Sequence, residues 1–463
     1  MGRTSSRRRW VWPAVTWIAA LTVVAATVLL QFVVRPQLAD DPLVGTGRLD
    51  HPAVADPPAA VLPELAAPTR EVSPAALAAK LDALPRDGLG DVVALVVDAR
   101  TGRELYRAGE GPRTPASSLK VLSALVAIDV LGPERTFATT TFLSPDGGTL
   151  LLRGGGDPLL AGARRPDAHP QPASLEDLAE ETAAALRARG VASVALGFDA
   201  TLFAGPAWNP EWPDIFARSV APITALTADH ARPSLERNAL QRAEDPARFA
   251  ADQFAGFLTT HGIAVTGVDP AATPAGATEL AHVDSVPVSE IAQVVLAQSD
   301  NDAAETLLWQ VALARGRAAT PTDGAAVLAA ELQRLGLWDD GMVVHDGNGI
   351  ASANLVTPDA LVGAVRLALG EPELRTITDG LPVAGVTGTL GERFTADDAL
   401  TGRGFVRAKT GTIRGVNTLT GYVVTADGQP LAFALMTSGG AGQTSARAWL
   451  DRASAALASC GCS

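Results

Sequence analysis

A hydroxyl and an amine stand three positions apart in the segment Ser117-Ser118-Leu119-Lys120. Pro115 precedes the segment and apolar residues at helical spacing follow it, so the pattern predicts a helix from about Ser117. Residues i and i+3 share one face of a helix, which would bring Ser117 and Lys120 together. A serine is a weak nucleophile until a base takes its proton, and a lysine becomes such a base when its pKa falls from about 10.4. Taken alone, the pair is better explained as two solvated residues on a helix surface.

Two further segments combine hydroxyl, amide and amine groups. Ser299-Asp300-Asn301 ends one apolar helical run and begins another. On its own it is an ordinary helix cap, because Ser, Asp and Asn all cap well. Lys409-Thr410-Gly411-Thr412 follows a strand-like run at residues 404–408. Gly411 would let a substrate backbone lie close against that strand edge, and the alternative is a hairpin end with solvated charges.

The chain contains far more arginine than lysine. Of the 37 Lys and Arg residues only three are lysine, at positions 80, 120 and 409. Arginine stays protonated in proteins whereas a buried lysine can release its proton, so a lysine in an arginine-rich chain draws attention. Two of the three lysines lie in the segments above. The order S-x-x-K, S-D-N, K-T-G is that of serine enzymes that react with penicillin, which argues against coincidence.

Composition limits the other possibilities. The chain has 463 residues, 47% hydrophobic and 19% charged, with a formal net charge of −13. That length accommodates two packed domains, and so acidic a body argues against a nucleic-acid partner. Two cysteines exclude a disulfide framework, and six histidines without an HExxH pair argue against a catalytic zinc, so no metal or cofactor is expected. Cys460 and Cys462 have no assigned role and could pair, stay free or cross-link two chains.

The N-terminal region predicts a membrane anchor. Residues 10–34 contain no charged side chain, and a helix of that length spans the hydrocarbon core of a bilayer. Arginines precede the run, so residues 1–9 are expected to be a cytoplasmic tail and the body to lie outside the cell membrane. A cleaved signal peptide is the alternative, although the run is long and lacks an A-x-A exit. Residues 35–74, rich in Pro and Ala, are predicted to be a linker.

The remaining sequence divides into a split domain and an insertion. Residues 75–150 and 286–459 are interpreted as one domain, with β-rich runs near its start and its end and a closing helix. Residues 151–285 contain two helix-then-strand units and are interpreted as an inserted α/β domain. The long interval between the first two motif segments leaves room for it.

Beyond these segments, the chain resembles the D-alanyl-D-alanine carboxypeptidase/endopeptidase family of low-molecular-mass penicillin-binding proteins, the penicillin-binding-protein-4 type. The likeness covers about residues 76–455. It implies an α+β (mixed α/β) fold: a penicillin-binding/β-lactamase-like domain with a five-stranded antiparallel sheet flanked by helices and interrupted by the inserted domain. The segments that carry the likeness are Pro115-Ala116-Ser117 with Lys120, Gly154-Gly155-Gly156-Asp157-Pro158, Gly197-Phe198-Asp199, Leu202-Phe203, Asp346-Gly347-Asn348-Gly349-Ile350, Pro382-Val383-Ala384-Gly385 and Gly388-Thr389-Leu390.

The resemblance also implies a role for each residue of the three motifs. Ser117 would be the acylated nucleophile and Lys120 its base, and the backbone N–H groups of residues 117 and 412 would form the oxyanion hole. Ser299 and Asn301 would relay the proton to the leaving amine and hold the substrate amide. The terminal carboxylate of the substrate would be bound by the strand segment Lys409, Thr410, Gly411 and Thr412.

Three features depart from the family pattern or match it loosely. The insertion is short for this family, and Asn348 stands where a serine is more usual. Trp208, Trp212 and Asp214 resemble a segment that touches the diamino acid of the stem peptide. A tryptophan-rich packing patch explains those three residues equally well.

These implications favour a serine-type D-Ala-D-Ala carboxypeptidase that acts on peptidoglycan stem peptides and binds β-lactam antibiotics, with DD-endopeptidase activity left open. A β-lactamase is the first alternative, but it needs a segment such as Glu-x-x-x-Asn to position a hydrolytic water. Glu305 and Glu331 lie in predicted helices and have no such partner. A non-catalytic peptidoglycan-binding scaffold is the second alternative, against which the complete set of motif residues counts.

Overall fold

The computed structural model describes residues 70–236, 240–440 and 442–461. The predicted cytoplasmic tail, the anchor at 10–34 and nearly all of the linker therefore lie outside the described residues. Within the described ranges no helix is both long enough and apolar enough to cross a bilayer. Cys460 is buried and disulfide-bonded, so pairing is the one of the three possibilities that applies to it.

The first sheet has five strands in the spatial order β2-β1-β10-β9-β8, and every neighbouring pair is antiparallel. This confirms the predicted sheet. Its strands come from both ends of the described chain, as expected for a domain split by an insertion. They are β1 Gly90–Asp98, β2 Glu104–Ala108, β8 Arg407–Ile413, β9 Val416–Val424 and β10 Pro430–Gly439.

The first sheet is buried on both faces, and its central strand β10 is apolar from Pro430 to Met436. Along β10, Leu431, Phe433 and Leu435 pack in one core cluster, whereas the alternate residues Ala432, Ala434 and Met436 pack in another. The first cluster lies under α1 Pro74–Asp82 and α10 Gln443–Ala458. The second lies under α2 Leu119–Leu131, α5 Val288–Ala297, α6 Asn301–Ala314, α7 Pro321–Arg334 and α8 Pro358–Gly370, next to the short α9 Arg375–Asp379.

The second sheet is mixed, with the spatial order β6-β5-β4-β3-β7. The β4–β5 and β5–β6 pairs are parallel, whereas β3 pairs antiparallel with both β4 and β7. Its helices are α3 Leu175–Ala188 and α4 Pro246–Thr260, which pack on one face. Its strands are β3 Ala138–Leu143, β4 Thr149–Arg153, β5 Ser193–Asp199, β6 Ala264–Pro270 and β7 Thr278–Asp284.

Sheet membership moves the start of the insertion. The sequence places residues 138–150 in the split domain, but β3 and the first two residues of β4, which lie in this range, pair with strands of the second sheet. The insertion therefore begins near Ala138 rather than at residue 151, while its end after β7 agrees with the predicted end at 285. The earlier start was missed because a strand's own sequence does not say which sheet it joins.

Candidate active site

The predicted nucleophile lies on a sharp turn into helix α2. Residues 115–118, termed the nucleophile elbow below, form a 3₁₀ turn that leads directly into the helix. Ala116 has φ +47°, a left-handed conformation that is uncommon for a residue with a Cβ and is held at functional sites by the surrounding packing. The next residue, Ser117, is partly exposed, with Oγ 3.1 Å from Lys120 Nζ. The predicted i, i+3 pairing of the two side chains is present.

Lys120 is fully buried and its amine touches three oxygen atoms. Besides Ser117 Oγ, these are Asn301 Oδ1 at 2.7 Å and the backbone carbonyl of Asn348 at 2.5 Å. The last two can only accept hydrogen bonds, so a neutral amine donates to both and turns its lone pair towards the serine hydroxyl. A protonated amine donates to all three oxygens. Both protonation states are therefore satisfied in one geometry, which is what a proton acceptor needs.

Burial increases the neutral fraction of Lys120. Burial lowers the pKa of Lys120 from its usual 10.5 to about 8, because the protein interior destabilises the charged amine. Nearby carboxylates oppose this effect and keep the pKa of Lys120 from falling further: Asp346, Asp300, Glu305 and Asp302. An amine with this pKa is partly unprotonated near neutral pH and can take a proton from Ser117.

The second motif lies in the tight turn between α5 and α6. Ser299 has φ +61°, a second left-handed non-glycine residue in the site. Asp300 caps α6 by accepting from the backbone N–H of Ala303 at 2.9 Å, as a capping residue is expected to do. Asn301 bridges two parts of the chain: Oδ1 accepts from Lys120 and Nδ2 donates to the Ser219 carbonyl at 3.0 Å.

The third motif lies on edge strand β8, beside the other two. Lys409 is fully buried, and its Nζ lies 2.8 Å from Ser299 Oγ and 2.9 Å from the Thr410 carbonyl. Burial, and then the charge of Lys120, hold the pKa of Lys409 well below its usual value. Thr410 Oγ1 is 2.8 Å from Thr389 Oγ1 and Thr412 Oγ1 is 3.4 Å from Asn417 Oδ1. The three motifs therefore form one contiguous site.

Gly411 is required for a different reason than the sequence suggested. A Cβ at this position would lie 2.1 Å from Thr418 Oγ1 and 2.6 Å from the Pro115 carbonyl, distances that real Cβ atoms do not adopt. The close approach is thus to the nucleophile elbow behind the strand rather than to a substrate backbone. Gly349 packs on the same elbow, since its Cβ would meet the Ala116 carbonyl at 2.0 Å. Gly411 and Gly349 therefore fix the position of the elbow, because both pack directly against its backbone.

Asp214 is not joined to the three motifs. It begins the exposed 3₁₀ turn Asp214–Arg218, and none of the hydrogen bonds or ion pairs recorded for the described residues connects it to a motif side chain. Its neighbour Trp212 is buried, stacks edge-on against Trp208 at 5.3 Å and donates from Nε1 to Asp346 Oδ2 at 2.9 Å. The contacts of the two tryptophans are those of a packing patch, and a substrate contact by Asp214 stays a prediction.

The loop Asp346–Gly349 is a part of the site to which sequence reasoning gave no contact. Asp346 is fully buried and accepts four hydrogen bonds, from the backbone N–H groups of Gly349 and Ala351, from Asn354 Nδ2 and from Trp212 Nε1. These bonds fix the loop whose Asn348 carbonyl meets Lys120. The glycines of the loop signal a close approach in the sequence, but a contact made through a backbone carbonyl leaves no trace in residue type.

The insertion contributes a cluster of charges beside Asp300. His230 Nε2 lies 3.4 Å from Asp300 Oδ2, and Asp302 accepts from the Ala221 N–H at 2.8 Å and from Arg242 Nη2 at 3.3 Å. The ring nitrogens of His230 and the oxygens of the two aspartates are close enough to hold a cation. The buried guanidinium of Arg242 already supplies positive charge to Asp302, so the cluster is an ion network that fixes the turn.

Comparison with known proteins agrees with this geometry. The model of the D-Ala-D-Ala carboxypeptidase 3 (S13) family matches residues 77–242 and 230–458. Carboxypeptidase DacB of Mycolicibacterium smegmatis is 34% identical over 425 residues, covering 89% of each chain. D-alanyl-D-alanine carboxypeptidase of Actinomadura sp. is 30% identical over 440 residues, covering 75% of this chain and 78% of that one. Penicillin binding protein 4 (dacB) from Haemophilus influenzae has a similar fold, with a TM-score of 0.67 at 21% identity over 84% of this chain and 98% of that structure. The chain belongs to the D-Ala-D-Ala carboxypeptidase 3 (S13) family.

Proposed function

We propose that this protein is a serine D-Ala-D-Ala carboxypeptidase that cleaves peptidoglycan stem peptides through an acyl-enzyme on Ser117. One observation carries the proposal: the buried amine of Lys120 lies 3.1 Å from the Ser117 hydroxyl and has acceptors for its other hydrogens. Membership of the S13 family supports the same activity. The Haemophilus influenzae relative by fold has been solved in complex with a β-lactam, which supports β-lactam binding by this chain as well.

The first step is acylation. Lys120 takes the proton of Ser117 as Oγ attacks the carbonyl carbon of the penultimate D-Ala, and an Oγ–C bond forms. Backbone N–H groups of residues 117 and 412 are proposed to hold the resulting oxyanion, each worth roughly 3 kcal/mol of barrier. The C–N bond then breaks, and the terminal D-Ala leaves as a neutral amine once it has received a proton.

Ser299 is proposed to deliver that proton. Its hydroxyl is held by Lys409 Nζ at 2.8 Å, and it belongs to the turn whose Asn301 accepts a hydrogen bond from Lys120. A chain from Lys120 through Ser299 to the leaving nitrogen returns the proton taken from Ser117. Hydrolysis by water, with Lys120 again as base, releases the shortened peptide and regenerates the serine.

The free carboxylate of the substrate is proposed to lie along strand β8. Thr410 and Thr412 are partly exposed there, with hydroxyls that can donate, and the amine of Lys409 lies beneath them as a further hydrogen-bond donor. A carboxylate is favoured at such a place because these donors can hydrogen-bond to its oxygens. This arrangement selects peptides with a free C-terminus over longer ones.

Covalent labelling tests the proposal. Wild-type protein incubated with a fluorescent penicillin should gain one label detected by gel and by intact mass, and Ser117→Ala should gain none. Ser118→Ala is the matched control, since Ser118 is the adjacent buried serine and bonds to Thr418 rather than to Lys120. The same samples, given a disaccharide pentapeptide and its cross-linked dimer, report carboxypeptidase and endopeptidase cleavage separately. Equal labelling of wild type and Ser117→Ala would contradict the proposal.

The lifetime of the acyl-enzyme separates this activity from a β-lactamase. Both oxygens of Glu305 are engaged, by the Gly347 N–H at 2.8 Å and by Trp309 Nε1 at 3.2 Å, so this carboxylate is not directed at a hydrolytic water. We therefore expect a long-lived penicilloyl adduct, and rapid turnover of penicillin would favour the lactamase. Peptide binding without release of D-Ala would favour the scaffold.

We also propose that the peptidase domain lies outside the cell membrane, anchored through residues 10–34. The support is the uncharged run with arginines on one side, together with a substrate class that lies outside the membrane. Membrane fractions should retain the full chain after alkaline extraction, and external protease should digest the peptidase domain in spheroplasts. Release of the protein by alkali, or its protection from protease, would contradict the anchor.

A further inference from the structure

Glu305 is a buried carboxylate to which the proposed reaction gives no role. It lies on helix α6 one turn after Asn301 and one turn before Trp309, so the three side chains share a face. It is fully buried and forms no ion pair with another described residue, although buried carboxylates normally have a partner of opposite charge. Its hydrogen bonds come from the Gly347 N–H and from Trp309 Nε1.

The loop that Glu305 holds is wedged between α6 and the nucleophile elbow. A Cβ at Gly347 would lie 3.1 Å from the Ala304 carbonyl of α6, and a Cβ at Gly349 would lie 2.0 Å from the Ala116 carbonyl of the elbow. Because both ends are in close contact, a shift of the loop towards α6 pushes Gly347 against the helix, and a shift towards the elbow pushes Gly349 against the Ala116 carbonyl. Ser123 Oγ of α2 donates to the Gly347 carbonyl at 2.6 Å, so the loop also contacts the helix that carries Lys120.

The residue between the two glycines is the one that meets the amine. The Asn348 carbonyl accepts from Lys120 Nζ at 2.5 Å, and with Asn301 Oδ1 it takes the two hydrogens of a neutral amine. We propose that Glu305 is a positioning residue of Lys120: it anchors the Gly347 N–H, thereby fixing the Asn348 carbonyl that aims the amine at Ser117, and its charge helps to set when that amine loses its proton. The part that concerns catalysis rests on the function proposed above.

The charges around the amine fix the direction of the second effect. Burial, followed by repulsion from Asp346, raises the pKa of Glu305 to about 8, the range in which Lys120 also titrates. An ionised Glu305 favours the protonated amine, so the titrations of the two groups are coupled. The other charged groups that act on Lys120 or respond to it are Asp346, Asp300, Asp302 and Lys409. Glu305→Gln removes one negative charge, and Lys120 then loses its proton at lower pH.

The scarcity of lysine allows a direct measurement. Full-length protein labelled with ¹³Cε-lysine contains only three lysines, and the Lys120 signal is the one that disappears in Lys120→Arg. We expect the titration midpoint of Lys120 to move down by roughly one pH unit in Glu305→Gln. Lys80 is exposed, and its signal serves as the internal reference in both proteins.

Acylation kinetics test the anchoring role. Glu305→Ala leaves the Gly347 N–H without its acceptor, and the high-pH plateau of the acylation rate should fall by about tenfold or more. Glu305→Gln keeps an acceptor oxygen and should lose less than Glu305→Ala. Glu331→Gln is the control, because Glu331 is also buried but pairs with Arg315 and Arg334 away from the site. It should lower thermal stability and leave the Lys120 midpoint and the plateau unchanged.

The outcomes separate this inference from the proposed function. An unchanged Lys120 midpoint in Glu305→Gln, or a wild-type plateau in Glu305→Ala, overturns the positioning role. If Glu305→Ala fails to fold, the titration midpoint of Lys120 in Glu305→Gln alone tests the positioning role. A wild-type protein that penicillin does not acylate, but whose Lys120 midpoint still moves in Glu305→Gln, contradicts the proposed function and leaves the link between Glu305 and the amine standing.

Discussion

The two sheets of the molecule are covered differently. The antiparallel sheet is buried under helices on both faces, whereas the mixed sheet has helices α3 and α4 on one face. A cavity of about 1030 Å³ borders the mixed sheet and the end of α6, with Arg153, Thr140 and Asp199 among its walls. Edge strands β6 and β7 are largely exposed. The mixed sheet is therefore the part of the fold that can unfold locally with the smaller loss of packing.

The proposed chemistry lies against the doubly covered sheet. The nucleophile elbow is held there by Gly411 and Gly349, which lie too close to it to admit a Cβ, and Lys120 and Lys409 are fully buried. The insertion reaches the same site from outside, through the Ser219 carbonyl, the Ala221 N–H and the indole of Trp212. We therefore expect large effects when contacts of the antiparallel sheet change and smaller ones when contacts of the insertion change.

The largest effect is expected from Gly411→Ala. The new Cβ collides with Thr418 Oγ1 and with the Pro115 carbonyl, so strand and elbow must separate. A displacement on the order of 1 Å costs about 100-fold in rate, and we expect the second-order rate constant for penicillin acylation to fall at least that far. Gly256→Ala on α4 is the control, because apart from the backbone of the helix itself no described atom lies within 4 Å of the new Cβ, and the variant should gain stability. If Gly411→Ala is acylated at the wild-type rate, the close packing of strand β8 against the elbow is not needed for acylation, which would contradict this account.

A smaller effect is expected when the insertion loosens its hold. Trp212→Phe keeps an aromatic ring against Trp208 but removes the Nε1 bond to Asp346, leaving that buried carboxylate with three donors instead of four. Stability should fall by about 1–2 kcal/mol and acylation by roughly threefold to tenfold. Trp208→Phe makes the same change in a residue with no such bond and should leave acylation unchanged. Equal effects of the two substitutions on acylation would show that the indole bond does not matter.

The smallest effect on activity, but a clear one on stability, is expected at Asp157 of the insertion. Burial raises the pKa of Asp157 to about 7, against about 3.8 when unfolded. Between these values the folded state binds the extra proton, so the free energy of unfolding falls as pH rises from about 4 to 7, by at most roughly 3–4 kcal/mol. Asp157→Asn should flatten that part of the pH–stability curve and leave acylation intact. Chemical denaturation at several pH values measures the slope, and an unaltered slope in the variant would contradict the assignment to Asp157.

Much of this architecture follows from sequence pattern. The β-rich runs predicted near the end of the split domain are strands β9 and β10, and the i, i+3 spacing of Ser117 and Lys120 predicted their contact. Such features are local, so the chain near a residue determines them. The same locality explains why the closing helix and the helices of the insertion could be located in advance.

The remainder depended on long-range contacts. The sheet to which β3 and β4 belong is decided by partners far along the chain, so the insertion was placed too late. The carbonyl of Asn348 meets Lys120 through its backbone, which any residue type carries. Glu305 has the sequence context of an ordinary helical glutamate, and only the packing of α6 against the loop Asp346–Gly349 shows that it is buried.

The pH profile of penicillin acylation, measured for wild type and for Lys120→Arg, tests the central claim most directly. With Lys120 as base, the wild-type rate constant should rise about tenfold per pH unit below the pKa of Lys120, about 8, and then level off. Arginine keeps the positive charge but cannot give up its proton. Lys120→Arg should therefore fold, and its acylation rate constant should be lower by at least about 100-fold at every pH. A variant that retains more than about a tenth of the wild-type rate, with the same pH midpoint, would contradict the assignment of Lys120 as the base.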